Sequence, residues 1–137
     1  MEKKNVNCLL ISILILLTTV ASGQKAFTDC SAAFLSNKII VDEYTDKGKC
    51  VLSATAVGKL TVCTADLGST ESKPKEKISF KIAIRDHSTK TLVMFSDEVF
   101  SQINIEDVLR RCSKGDQIVL LTTNSQYALP HNEIQVL

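Results

Sequence analysis

Tryptophan is absent, and tyrosine and phenylalanine supply only 5 % of the residues. A chain so poor in rings has little with which to stack sugars or bases. Histidine occurs twice, at His87 and His131, and no Cys-x-x-Cys pair accompanies either, so zinc-ligand spacing is not met. The acidic residues do not fall in the pattern of a calcium loop. With five glycines in 137 residues, neither a phosphate-cradling glycine loop nor a nucleophile elbow is spelled out. No cofactor and no metal are expected.

Charge of one sign is also lacking: sixteen Lys and Arg stand against fifteen Asp and Glu. No basic stripe interleaved with aromatics occurs, and a near-neutral chain gives phosphate electrostatics little to act on, so nucleic acid is not an expected partner. Apolar content is ordinary for a packed domain, which disfavours wholesale disorder.

The one long apolar run is at the N-terminus. Lys3-Lys4 precede Val6 to Val20, and Ala21-Ser22-Gly23 follow with the small residues a signal peptidase requires. This reads as a signal peptide over residues 1–23, cleaved before Gln24. The run falls short of the roughly 20 apolar residues a spanning helix needs, so no stable membrane insertion is expected after cleavage. The remainder, residues 24–137, has the length of a single domain. The expected location is exported, periplasmic or extracellular.

Export gives the cysteines meaning. Cys8 leaves with the leader, and Cys30, Cys50, Cys63 and Cys112 remain. An even number in an oxidising compartment favours two bridges among three possible connectivities. The preferred pairing is Cys30 with Cys50 and Cys63 with Cys112.

The clearest structural signal is residues 77–95. Ile78, Phe80, Ile82 and Ile84 alternate with polar or small residues at the period of a half-buried strand. Thr91 to Phe95 is apolar on both faces and is expected to lie deeper in the sheet than its partner. Asp86 to Lys90 joins them as a hairpin turn. Elsewhere Lys38 to Tyr44 reads as a strand, and Cys50 to Ala65 as one strand or two broken near Gly58. Asp66 to Lys77, with Pro74 and its charges, reads as an exposed mobile loop. Ser96 to Phe100 can form a single helical turn. Asn104 can cap a helix that aims Ile105, Val108, Leu109 and Cys112 at the core and stops at Gly115. Asp116 to Thr123 is an apolar strand, and Tyr127 to Leu137 returns as a strand interrupted at Pro130. The fold expected is mainly β, an antiparallel β-sandwich with one short α-helix. The alternative is an α+β layer, a single antiparallel sheet with the helix on one face.

No catalytic residue is assigned. His87, between Arg85, Asp86 and the rest of the hairpin tip, reads as a solvated loop histidine. Cys112, His131 and Asn132 have the residue types of a thiol enzyme without the surrounding signature. What remains is surface. Tyr127, Pro130, His131 and Asn132 mark a possible interaction edge, the face with Val93 and Phe95 is a second, and the charged stretch around Pro74 is the alternative contact. The function expected is that of an exported, non-catalytic protein-interaction or structural module whose partner is another envelope or extracellular protein. The alternatives are a small-ligand or carbohydrate binder and, more remotely, a small hydrolase.

Overall fold

The structure, a computed structural model, describes residues 29–43, 47–67 and 71–137. The leader expected over residues 1–23 lies outside them. Two β-sheets and one short helix enclose a common core, which decides for the two-sheet alternative over the single sheet.

The first sheet is built on β1 (Asp29–Leu35), which turns back into β2 (Lys38–Ile39). That turn is possible because Ser36 and Asn37 both accept positive φ, 49° and 66°, the geometry a two-residue hairpin demands. Of the strand expected over Lys38 to Tyr44, the described residues 38–43 show a shorter element, β2 and an isolated bridge from Val41 to Cys50, and Tyr44 lies outside the described residues. β3 (Val51–Leu52) and β4 (Lys59–Leu67) follow, divided at Gly58, whose φ of 126° no side chain adopts without strain.

β4 pairs with β5 (Ser72–Ile78), which corrects the reading of a mobile loop for residues 66–67 and 72–77; residues 68–70 of that stretch lie outside the described residues. Its lysines and Pro74 are compatible with pairing because β5 ends its sheet. A proline is tolerated where its missing donor would face solvent, and charge on such a strand discourages further pairing.

The chain then passes through Ser79 into β6 (Phe80–Arg85) and so from the first sheet into the second. β7 (Leu92–Met94) pairs with β6 in the expected antiparallel hairpin. Depth is the reverse of expectation. β6 is flanked on both sides and buries Phe80, Ile82 and Ala83 completely, whereas β7 is the last strand and exposes 45 % of Leu92, 56 % of Val93 and 39 % of Met94. An apolar run without alternation fits an interior strand, but nothing pairs with the far side of this one among the described residues.

Residues 96–100 form no helical turn; the Ser96 hydroxyl accepts the Glu98 N–H and Phe100 bridges to Phe80. β8 (Ile103–Asn104) leads into the helix α1 (Ile105–Leu109), whose Ile105, Val108 and Leu109 are buried. Asn104 stands at the N-cap with no side-chain bond; instead the Ile105 N–H donates to the Gly58 carbonyl at 2.9 Å. β9 (Gln117–Thr122), β10 (Tyr127–Ala128) and β11 (Glu133–Val136) complete the chain, with Pro130 in the break between the last two.

The sheet orders are β10-β1-β4-β5, with β2 beside β1 and β8 beside β4, and β3-β11-β9-β6-β7. Phe80, Leu60, Ile82, Ile105, Ile118 and Ile134 fill the space between them. Burying each such side chain contributes roughly 1.5–3 kcal/mol. A second, smaller cluster of Phe34, Ala32 and Cys63 lies on the other face of β1 and β4.

Candidate functional site

The tip of the β6–β7 hairpin is held by a residue from the far end of the chain. Asp116 stands between Gly115, whose φ of 92° turns the backbone there, and the start of β9. Its buried carboxylate accepts the Ser113 N–H at 2.7 Å and the His87 N–H at 3.0 Å, and its Oδ1 lies 3.1 Å from His87 Nδ1. The Ser113 amide bond, followed by those from His87, holds the Asp116 carboxyl below its ordinary value against the opposing effect of burial. A Cβ at Gly115 would stand 3.3 Å from His87 Cγ, so the glycine also makes room for the ring. Asp86 organises the rest of the turn by accepting the Thr89 and Ser88 N–H groups and the Thr89 hydroxyl. Those amides hold its carboxyl down as well.

His87 is thus more than a solvated loop histidine. The Ser88 hydroxyl lies 3.1 Å from its Nε2, so serine, imidazole and buried carboxylate form a hydrogen-bonded row. Such a row is the skeleton of a nucleophile relay. What the turn does not supply is a donor for an oxyanion. The N–H groups of His87, Ser88, Thr89 and Lys90 are spent on Asp116, Asp86, Asp86 and the Asp86 carbonyl. Transition-state stabilisation in acyl transfer rests largely on such donors. These bonds order the hairpin tip. Arg85 meets Glu133 across the strands at 3.1 Å, an exposed pair that adds little.

The other expected site residues are dispersed. Cys112 gives its thiol to the Val108 carbonyl, and Asn132 gives its carboxamide to the Leu120 carbonyl. The His131 carbonyl faces the Cys50 thiol at 3.7 Å. All four cysteines carry free thiols. Burial, then Asp42, pushes Cys50 up to about 11; burial, then Asp116, does the same for Cys112. A thiol so raised is a poor nucleophile at neutral pH.

Neither expected bridge is formed here, and the sheet explains why Cys63 and Cys112 are not brought together. Cys63 turns into the small cluster with Phe34, whereas Cys112 packs against the main core on the opposite side of β4. Cys30 lies on the Cys63 side, two residues from Ala32, the partner of Cys63 in the ladder.

The Tyr127-to-Asn132 segment forms an outer edge only briefly. Tyr127 and Ala128 run parallel to Asp29 and Cys30, Pro130 follows exposed, and Asn132 is tied to Leu120 through both its backbone carbonyl and its side chain.

Sequence reasoning did not single out Asp116 or Ser88. The Ser113-to-Asp116 turn with its glycine was legible as a helix stop, but a carboxylate serving a loop 29 residues away has no local signature. Among the described residues no group of three or more His, Cys, Asp or Glu is placed to hold a metal, and no helix is long and apolar enough to cross a membrane. Compared with protein-family models, curated proteins and solved structures, the chain finds no match.

Proposed function

We propose that this chain is an exported, non-catalytic protein-interaction module, and that it engages its partner, another envelope or extracellular protein, along β7. One observation carries the reading: β7 is an apolar strand at the end of a sheet whose outer side is unpaired among the described residues. The Phe95 N–H donates to the Ile82 carbonyl and the Asp86 N–H to the Thr91 carbonyl. In an antiparallel ladder the bonding residues alternate, so the N–H and C=O groups of Leu92 and Met94 point outward. An incoming extended segment gains main-chain bonds there and covers the exposed Leu92, Val93 and Met94. Beside the strand a pocket of about 260 Å³, lined by Val93, Met94, Thr91, Ile84 and Arg111 among others, is of a size to take one partner side chain.

Edge strands of monomeric proteins are usually blunted by shortness, charge or proline; β5 carries charge and proline, whereas β7, three residues long, carries neither. The leader-like N-terminus supports export. A photo-cross-linking amino acid at Leu92, in protein expressed in its native host, tests the reading, with the same probe at exposed Val57 as control. A defined adduct from Leu92 alone is expected. No adduct, or the same adducts from both positions, refutes it.

A further inference from the structure

The first sheet carries a second feature, on a face that β7 does not touch. An open cleft of about 520 Å³ runs beside β5, with Lys73, Lys75 and Lys77 on its wall, Thr61 and Cys63 on its floor and Glu71 as its one acid. Its volume falls in the range of small-molecule sites, roughly 300–1,000 Å³. Lysines on an outer strand have an ordinary use, to discourage pairing, but that use does not require a concavity or a polar floor.

Here the floor is polar in a specific way. Thr61 is only 6 % exposed, and its hydroxyl makes no hydrogen bond among the described residues. No described buried side-chain N or O atom sealed from solvent lacks a partner, so this hydroxyl opens on the cleft. The wall is equally unspent. Neither Lys73 nor Lys75 has an ion-pair partner among the described residues, and Lys77 meets only the neutral Gln102 carboxamide at 2.7 Å. On the lining itself three lysines stand against one glutamate, with Asp66 opposite Lys73 in the ladder and Glu76 on the alternate side of β5 as the nearest further acids.

The geometry points to a binding site for a saccharide carrying sulfate or phosphate esters. The lysines meet the ester oxyanions as compact point charges, while Thr61, Asn37 and Ser72 supply hydroxyl and amide partners for the sugar. The lining holds no aromatic ring, so an uncharged sugar finds no stacking surface and the esters provide the affinity.

Amide ¹H–¹⁵N spectra of the full chain, titrated with a trisulfated disaccharide, test the assignment, with glucose 1,6-bisphosphate, inorganic sulfate, maltose and a glutamate-rich peptide as parallel arms. Shifts confined to positions 36–38, 61–63 and 71–77 are expected with one or both esterified sugars, and which of them binds tells sulfate from phosphate. The double variant Lys75→Gln/Lys77→Gln is expected to weaken binding about tenfold or more, and added salt to weaken it further. Thr61→Val reports on the floor separately and is expected to lower affinity with the spectrum otherwise unchanged. No shifts with either esterified sugar, shifts elsewhere, equal binding by the double variant, binding of the peptide alone, or inorganic sulfate binding as tightly as the sugars would each overturn it.

Discussion

Val93 stands directly opposite Ile84 in the β6–β7 ladder, yet Val93 is 56 % exposed while its strand's only described neighbour, β6, is flanked on both sides. The contrast locates the unprotected side of the fold and governs how it is expected to associate.

Replacing Leu92 and Met94 together by lysine places charge along that side without removing a core contact. Thermal stability should change little, within about 0.5 kcal/mol per site, while strand-mediated association is lost. Size-exclusion chromatography with light scattering, with and without the partner captured by cross-linking, measures both. Undiminished association would move the contact elsewhere.

The Asp116 carboxylate serves two backbone amides and an imidazole at once. Asp116→Ala strands the Ser113 and His87 N–H groups and should destabilise by about 2–4 kcal/mol; His87→Ala removes only the half-exposed ring and should cost about 1 kcal/mol or less. Urea melts separate the two variants. Because the folded-state value of Asp116 is lowered, its stabilisation is complete above about pH 4 and is lost as pH falls through the lowered folded value. The acid side of the stability profile should therefore flatten in Asp116→Ala.

The cysteines should differ sharply towards iodoacetamide in the native state. Exposed Cys30 reacts first, while Cys50, Cys63 and Cys112 are buried or half-buried and slow. For Cys50 and Cys112 the raised thiol values add to this, and their contribution to stability is full below the ordinary value near 9 and is lost as pH rises to about 11. In oxidised secreted protein, the sides of the first sheet favour Cys30 with Cys63 and Cys50 with Cys112, since each other pairing takes both bridges across it. Peptide mapping without reductant reads the connectivity directly, and a Cys63–Cys112 peptide would contradict the fold.

The small cluster should be as consequential as the main core. Phe34 is fully buried there, so Phe34→Ala is expected to cost about 3–5 kcal/mol, whereas Val57→Ala at an exposed position should be near neutral. Equal melting temperatures would mean that the cluster does not form.

What the sequence made legible followed burial. β6, β9 and α1 declare themselves because a face packed against the core imposes its period on the residues. β7 reads as interior from sequence because a continuous apolar run looks the same whether it is enclosed or lies at the end of a sheet. β5 was misread for the opposite reason: lysines and a proline resemble a linker, although they are also what protects a final strand. At the candidate site the turn residues Asp86 to Lys90 were visible, but not their anchor, since Asp116 reaches them through tertiary structure. The lysines at 73, 75 and 77 are in plain view beside Pro74, where the sequence offers a charged contact surface, but that they wall a cleft is not legible there. Thr61, set among the apolar residues of β4, was the complementary signal.

Ser79 is the single residue between β5 and β6, and through it one extended run of chain belongs first to one sheet and then to the other. Neither layer is therefore free to come apart by itself. A pull that peels away the lysine-bearing margin is transmitted straight into the heart of the opposite layer, and the molecule should give way under force in one event, without a half-open stage.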